Sequence, residues 1–394
     1  MVGSAASRRP VADSWNSLIS ARMKNGIPIL FFACLLVVGC GSATQPGNSV
    51  DPATGWVKWT KNAGPAYIGA SRIVSDPSVI ADETVFRLAY TSVDFTNLAG
   101  PHASISLATS ADSVKWTAVA SSLGGAVFRG EILRGREGQW DENLETPFLM
   151  KTASGYYLYY SGYRDGIDPT EPAKGLPASL GLATSTDGLT FNRVQSDPIL
   201  TPTPDSFDSD AIYSPDIIPY QGGYFMVYAA HCYKDCPGAP GVRILSATSP
   251  DGVHWTKSVQ PLLSPKSPPE WMSDSVAEPA ILLGPDGYLY LFFTGVAGSN
   301  HVIGVARASS PSSAWEVDPK PIVAPSAGGF DETGDTGPTV LLENGAVRMW
   351  FTGTNHAGQY AIGYAEAPWP LRRAAKKSLG PVFAIAASVP TAAK

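Results

Sequence analysis

Acidic side chains stand beside prolines that recur along the chain. Asp76 and Glu278 each directly precede such a proline, and Asp216 directly follows another. Alternate residues of a strand face the same way, so positions one before and one after the proline should share a face. Carboxylates that converge on one well repel one another, which leaves a protonated acid beside an ionised base. That pair can cleave a glycosidic bond, so these three residues are the catalytic candidates.

Two other interpretations of these acids stay open. They could cap the starts of strands, or they could bind a cation such as calcium at a central axis; we otherwise expect no metal and no cofactor. Glu145 lies two residues before Pro147 and therefore has the opposite parity. Alternation predicts that Glu145 points away from the well unless a bulge intervenes, so it is a substrate-binding candidate rather than a catalytic one.

The elements that must position these acids repeat five times. The marker prolines are spaced 70, 68, 64 and 59 residues apart: Pro77, Pro147, Pro215, Pro279 and Pro338. An apolar run, a turn, an aromatic strand and a third strand follow each proline, and four segments continue through a turn into a fourth strand. Four strands of about five to seven residues per repeat are typical of a β-propeller blade.

We therefore predict an all-β fold, a five-bladed β-propeller of four-stranded antiparallel blades over residues 56–370. The fifth repeat stops after its third strand. A segment near residues 56–61 resembles the fourth strand of the third repeat, so we expect this N-terminal strand to complete the last blade and close the ring. A four-stranded sheet cannot bury both faces alone, so the blades must stack around an axis.

Composition excludes several classes of protein. The 394 residues are 44% hydrophobic and 16% charged, which argues against a disordered chain and against coiled coils. The net charge is −6, and no basic run is long enough to follow a phosphate backbone, so nucleic acid is not an expected partner. We expect a monomer whose partner is a carbohydrate.

The N-terminal region has the pattern of an export signal. An apolar run of 13 residues at 27–39 is too short for a membrane span and suits a signal peptide. It ends at Cys40, and this junction resembles a bacterial lipoprotein box. We expect a signal peptide at 1–39, with a true start at Met23 as one interpretation, and a lipidated Cys40. A polar tether at 40–55 and a surface or disordered tail at 371–394 complete the prediction, with the protein anchored to the membrane facing the periplasm or the cell surface.

Two cysteines remain inside the repeats. Cys232 and Cys236 are separated by three residues, and in an oxidising compartment this spacing favours a local disulfide. His231 beside them leaves a metal site as an alternative, although a structural zinc site normally needs four ligands.

Ligands of a propeller collect at one face, where the innermost strands begin and where the loops between second and third strands return. Tryptophans Trp116, Trp255 and Trp315 lie in turns before the fourth strands and should pack between blades. The substrate-binding candidates lie near strand starts or in the returning loops: Glu145, Trp140, Arg164, Tyr213, His231, Trp271, His301 and His356. The alternative is that these loops are merely polar.

The repeats, with Asp76-Pro77 in the first and Glu278-Pro279 in the fourth, resemble the five-bladed glycoside hydrolases of family 43 and the related families 32, 62, 68 and 130. The resemblance implies Asp76 as general base, Asp216 as the residue that adjusts pKa and orientation, and Glu278 as general acid. It also implies hydrolysis with inversion of configuration.

The sequence departs from that family at three points. The string Tyr213-Ser214-Pro215-Asp216 lies one blade later than its family counterpart, and Ser214 replaces the acid expected before the third proline, so Asp216 could instead contact substrate. The sucrose-cleaving string Asn-Asp-Pro-Asn is absent. Phosphorolysis needs several basic phosphate ligands, and Arg164 and His231 are the only two candidates for that role.

We expect an exported glycosidase acting on polysaccharide or oligosaccharide substrates that contain pentoses, arabinosidase- or xylosidase-like. A non-catalytic glycan-binding surface propeller is the alternative.

Overall fold

The computed structural model describes residues 50–69, 73–94, 101–125, 128–165 and 176–373. The predicted signal peptide, Cys40, most of the tether and most of the tail lie outside the described residues. Among the described residues, no helix is long and apolar enough to cross a membrane.

The predicted five-bladed propeller is confirmed. Five antiparallel sheets follow one another along the chain, and the innermost strand of each leads to the outermost in order. Blades one to three contain β2 (Ile73–Asp82), β3 (Val85–Val93), β4 (Ala103–Ser110) and β5 (Thr117–Ala118); β7 (Asn143–Thr152), β8 (Gly155–Arg164), β9 (Leu176–Ser185) and β10 (Asn192–Arg193); and β11 (Ala211–Tyr220), β12 (Gly223–Cys232), β13 (Gly241–Ser249) and β14 (Thr256–Lys257). An additional strand, β6 (Glu131–Arg134), pairs with β4.

Blades four and five complete the ring. They contain β15 (Ser275–Leu283), β16 (Leu289–Ala297), β17 (Asn300–Ala308) and β18 (Glu316–Val317); and β19 (Gly334–Glu343), β20 (Ala346–Thr354), β21 (Tyr360–Pro368) and the N-terminal β1 (Thr60–Lys61). A short 3-10 turn, Glu270–Met272, precedes β15. In blade five, Thr60 pairs with Glu366 and Lys61 with Ala365, so the N-terminal strand closes the ring as predicted.

Strand lengths differ from the expected five to seven residues. The inner three strands of each blade run eight to ten residues, whereas each outermost strand has two. Neighbouring blades cover the inner strands on both faces, so their apolar pattern continues without interruption. The outermost strands lie at the rim, where one partner strand gives them their only ladder.

The hydrophobic core is divided among the contacts between blades. Five large clusters of buried side chains lie one at each blade–blade interface. Trp116 of blade one meets Trp350 of blade five edge to face at 6.2 Å, and Trp255 of blade three meets Tyr159 of blade two at the same distance. Trp315 joins the cluster between blades three and four. These tryptophans hold adjacent blades together, as the sequence predicted.

Candidate active site

A β-bulge at each marker proline shapes the centre of the propeller. The strand register slips in every innermost strand at this point, because proline has no N–H to continue the ladder. The residue before each proline has a left-handed backbone, with φ between 47° and 57°: Asp76, Thr146, Ser214, Glu278 and Gly337. Such a backbone costs a non-glycine residue of order 1–2 kcal/mol. In four blades this unfavourable conformation therefore sets the direction of the side chain that precedes the proline.

These bulges surround a narrow axial channel. Its lining comes from all five blades: the five marker prolines with Asp76, Ser78, Thr146, Phe148, Ser214, Asp216, Glu278, Gly337 and Thr339. The space between them is about 30 Å³, room for about two water molecules. A sugar ring cannot enter this channel, so a substrate must bind at its mouth with the bulge residues beneath it.

Asp76 is held at the mouth by neutral donors. Its carboxylate accepts a hydrogen bond from Ser75 Oγ at 3.0 Å, and its own N–H donates to Thr352 Oγ1 of blade five at 2.9 Å. Burial raises the pKa of Asp76, although hydrogen bonds from the Thr91 hydroxyl, Ser75 and the Thr146 N–H oppose that rise.

Glu278 faces the same mouth from blade four. Its Oε2 accepts hydrogen bonds from Thr294 Oγ1 at 2.6 Å and from the Gly337 N–H at 2.9 Å. Both donors occupy one oxygen, so a proton on this carboxyl group resides on Oε1. Burial, followed by the negative charge of Asp76, raises the pKa of Glu278 to about 7. Asp76 and Glu278, which are distant in the chain, are thus brought together at one site.

Glu145 is the exception to strand alternation that a bulge was expected to cause. The bulge between Glu145 and Phe148 breaks the alternation of side chains, so Glu145 turns toward the mouth. Its Oε1 accepts a hydrogen bond from the Tyr163 hydroxyl at 2.7 Å. Burial and the charge of Asp76 raise the pKa of Glu145 to about 7. The site therefore holds three carboxyl groups, and the third comes from blade two.

Asp216 lies deeper and toward the seam between blades three and four. Its Oδ1 accepts the backbone N–H of Ile281 at 3.2 Å. Ser78 and Thr339, which also directly follow marker prolines, accept backbone N–H groups of the next blade in the same way. Burial raises the pKa of Asp216 to about 8. Asp216 thus occupies a position that links blades, and Ile281 belongs to the strand that carries Glu278.

Two tryptophans among the substrate-binding candidates pack against rings of their own blades. Trp140 stacks on Tyr160 with ring centroids 6.1 Å apart, and its indole N–H donates to the Ser196 carbonyl. Trp271 stacks on Phe293, and a Cβ on Gly295 or Gly304 would clash with its ring. These glycines make the space that the indole fills, so the Trp271 face is covered by its own blade.

The remaining candidates lie around the mouth at different depths. Tyr213 is half-buried, and its ring lies against His231 at 5.2 Å. Arg164 forms an ion pair with Glu142, with 3.5 Å between Nε and Oε2. His301 lies beside Gly334 at the start of β19, and burial lowers its pKa. His356 is exposed, and its backbone N–H donates to Glu332 Oε1 at 3.1 Å.

Several further residues contribute to the mouth. Tyr163 and Thr294 bind Glu145 and Glu278, and Tyr360 faces the whole group: burial raises its pKa, and the charges of Asp76, Glu145 and Glu278 raise it further. His102 pairs with Asp165 at 3.2 Å next to Glu145. All of these except Thr294 stand at or beside the loops between second and third strands, which was a usable signal for Tyr163 and Tyr360.

The cysteine region could hold either a local disulfide or a metal site that includes His231. Cys232 and Cys236 form a disulfide with Cα atoms 5.6 Å apart. In the part of the chain that the structure describes, no three His, Cys, Asp or Glu side chains are grouped to hold a metal ion. The site therefore offers acids, hydroxyls and aromatic rings as its chemical groups.

Known proteins with the same architecture act on glycosidic bonds. The structure superposes on a thermostable family-43 glycoside hydrolase with a TM-score of 0.58 and 16% identity, covering 79% of this chain and 97% of the other protein. An endo-arabinase from Bacteroides thetaiotaomicron superposes with a TM-score of 0.54 and 14% identity, covering 78% and 97%. A β-1,2-mannobiose phosphorylase from Listeria innocua superposes with a TM-score of 0.56 and 13% identity, covering 79% and 90%. At these identities the likeness is one of fold.

Sequence comparison identifies the family. A stretch of 87 residues is 30% identical to the uncharacterized protein Rv1502 of Mycobacterium tuberculosis, and it covers 22% of this chain and 25% of that protein. The chain thus matches about a quarter of that relative's length. The family model for glycosyl hydrolases family 43 matches residues 141–384, more than half of the chain. This chain belongs to glycosyl hydrolase family 43.

Proposed function

We propose that this protein hydrolyses glycosidic bonds in neutral, pentose-containing polysaccharide or oligosaccharide substrates with inversion of configuration. Glu278 is the general acid and Asp76 is the general base. One observation carries the proposal: the two carboxyl groups share a mouth in which burial, and then the charge of Asp76, raise the pKa of Glu278 to about 7.

The reaction follows from the protonation states. Glu278 donates the proton on Oε1 to the leaving-group oxygen, and the bond from that oxygen to the anomeric carbon breaks. Asp76 removes a proton from a water molecule on the other side of the sugar, and the water oxygen bonds to the anomeric carbon. Glu278 ends ionised and Asp76 ends protonated, so exchange of one proton with solvent restores the starting state.

Asp216 and Glu145 support this pair in different ways. Asp216 holds the N–H of Ile281, three residues beyond Glu278, so we assign it to orienting the strand of the general acid. Glu145 is a third carboxyl group held by Tyr163, and we assign it to substrate hydroxyls at the mouth. A protonated carboxyl group both donates and accepts hydrogen bonds, which suits a sugar diol.

Hydrolysis is favoured over phosphorolysis. A phosphate dianion would have to enter a mouth that already holds Asp76, Glu145 and Glu278. The two basic candidates give little compensation, because Arg164 is paired with Glu142 and burial lowers the pKa of His231 to about 4. Equal rates of product release with and without inorganic phosphate, and no sugar phosphate among the products, are the expected result.

The substrate class and location extend the proposal. A neutral sugar suits an acid-lined mouth, and one structural neighbour is an endo-arabinase, so pentose-containing glycans are the first substrates to test. Reaction outside the cytoplasm, on a lipid-anchored protein, is supported by the Cys232–Cys236 disulfide and by the export pattern ending at Cys40.

The test is hydrolysis of aryl pentosides, arabinan and arabinoxylan by wild type, Glu278→Gln and Asp76→Asn. Each substitution should lower kcat/KM by about 10²–10⁴-fold. Glu83→Gln is the matched control, because its side chain is 82% exposed and pairs with Lys151 at 3.3 Å, away from the mouth. NMR of the first product should show the inverted anomer. Glycan binding without any product would favour the non-catalytic glycan-binding alternative, and equal activity in all variants would contradict the assignment.

A further inference from the structure

Aromatic rings line one side of the mouth of the channel. On the side of blades two and three, four rings form a continuous series that we call the aromatic wall: Tyr163, Tyr213, His231 and Tyr233. Adjacent ring centroids are 6.2, 5.2 and 5.9 Å apart, and all four side chains are partly exposed. The inner end of the wall reaches the site itself, because the Tyr163 hydroxyl binds Glu145.

The outer end of the wall is fixed twice. Tyr233 lies in the five-residue loop that the Cys232–Cys236 disulfide closes. The backbone N–H of Tyr233 donates to the Asp210 carboxylate, and the N–H of Lys234 donates to the same oxygen at 3.3 Å. A loop that is already ordered loses little freedom when a ligand binds, so this bracing favours affinity.

The charges around the wall select the kind of ligand. Glu145 and Asp165 act on Tyr213, and Asp210 acts on both His231 and Tyr233. His231 is neutral near pH 7, because burial lowers its pKa to about 4. Uronic acids and phosphorylated sugars would meet these carboxylates without a compensating cation from the wall. A neutral sugar can pack its C–H face on the rings and hydrogen-bond to the hydroxyls.

We propose that the aromatic wall is a disulfide-braced subsite that binds a neutral sugar unit of the substrate next to the bond that is cleaved. This inference rests on the proposed function, since it places the substrate that Asp76 and Glu278 act on. It assigns specificity to Tyr213 and Tyr233 and gives the Cys232–Cys236 disulfide a role in binding.

Binding can be measured apart from catalysis. In Glu278→Gln protein, isothermal titration with neutral arabino- and xylo-oligosaccharides reports affinity without turnover. Adding Tyr213→Ala or Tyr233→Ala should weaken binding by about tenfold, the scale of one lost aromatic contact. Tyr288→Ala is the control, because this tyrosine is exposed at the β15–β16 turn and packs on Arg307. Thermal unfolding of each variant shows whether the fold is retained. Tyr233 lies at the outer end of the aromatic wall, so Tyr233→Ala keeps the test informative if Tyr213→Ala unfolds.

The disulfide gives a second, independent arm. Cys236→Ser opens the loop, whereas Asp235→Asn changes the same loop and leaves the disulfide intact. We expect KM for oligosaccharides to rise several-fold in Cys236→Ser, with a smaller change in kcat, and no change in Asp235→Asn. Hydrolysis that keeps the wild-type KM in the tyrosine and cysteine variants would overturn the wall while leaving the proposed function intact. Wall-dependent binding without hydrolysis would support the wall and overturn the proposed function.

Discussion

Two regions bury the same chemical group and give it opposite properties. Asp82, at the far end of β2, is 5% exposed and binds Arg87, Lys151 and the Tyr156 hydroxyl. Burial raises its pKa, but the hydrogen bonds from Lys151, Tyr156 and Arg87 outweigh burial and bring the pKa to about 2. Glu278 at the mouth receives its hydrogen bonds from a hydroxyl and a backbone N–H, and its pKa rises to about 7.

The two carboxyl groups have different hydrogen-bond partners. A cation stabilises the charged form of a carboxyl group, so Asp82 is a fixed anion that joins blades one and two. Neutral donors offset burial and the charge of Asp76 only in part, so Glu278 keeps a proton to donate. Asp82 and Glu278 are therefore distinguished by whether Lys or Arg reaches the carboxyl group.

The largest effect should come from Glu278→Gln, which tests the reactive side of this comparison. Activity should fall by about 10²–10⁴-fold because the proton donor is lost. The folded-state pKa of about 7 lies above the ordinary value of 4.5, so Glu278 favours folding below pH 4.5 and loses that contribution as pH rises through 7. Glu278→Gln should therefore unfold at a higher temperature than wild type at pH 8. A lower unfolding temperature at that pH would contradict the neutral-partner account.

Lys61→Met tests a structural cluster with the strongest dependence on one cation. Lys61, from the strand that closes the ring, pairs with the fully buried side chains of Asp331 and Asp335. Removing it leaves two buried carboxyl groups without their cation, so the free energy of unfolding should fall by about 3–5 kcal/mol. Urea denaturation measures the loss. Lys58→Met, an exposed neighbour in the same segment, is the control, and equal stability of the two variants would count against the role of the cation.

Asp82→Asn should lower the free energy of unfolding by about 2 kcal/mol at pH 7 and leave kcat unchanged. The folded-state pKa of about 2 lies below the ordinary 3.8, so the stabilisation is present above pH 4 and disappears as pH falls toward 2. Wild type and variant should therefore converge in stability on acidification. Denaturation curves between pH 2.5 and 7 would show this, and a constant difference would argue against the ion-pair explanation.

Thr294→Val should have the smallest effect, and it tests how much one neutral hydrogen-bond donor contributes to the pKa of Glu278. The Thr294 hydroxyl lowers the pKa of Glu278, so its removal should raise that pKa by up to about one unit. Activity requires protonated Glu278 and therefore falls as pH rises through about 7 in wild type; this limb should move to higher pH in the variant. The pH dependence of kcat/KM measures the shift. Movement of the alkaline limb toward lower pH would show that another group controls it.

The sequence was sufficient for the architecture because each blade repeats one pattern. Five marker prolines and the incomplete last repeat predicted both the blade count and closure by the N-terminal strand. Asp76 and Glu278 were found since each directly precedes a marker proline, where the bulge aims one side chain at the axis.

Other features depended on information that no single segment contains. The orientation of Glu145 depended on whether a bulge intervenes, and a bulge is defined by the partner strand. Trp140 and Trp271 were taken for ligand contacts, although glycines at the ends of neighbouring strands, such as Gly162 and Gly295, were a usable sign of close ring packing. Thr294 belongs to no motif in the sequence. Its role as a hydrogen-bond donor to Glu278 is visible only from the distance between the two side chains in the fold.

Glu278 is proposed to hold a proton near neutral pH because it is buried, because Asp76 adds negative charge, and because its hydrogen-bond partners are neutral. Carbon-13 NMR titration of labelled glutamate carboxyl groups, assigned with Glu278→Gln, measures this in wild type and in Asp76→Asn. Glu278 should titrate near pH 7 in wild type and at a lower pH in Asp76→Asn. Titration of Glu278 near its ordinary value of 4.5 in wild type, or the same midpoint in both proteins, would contradict the proposal.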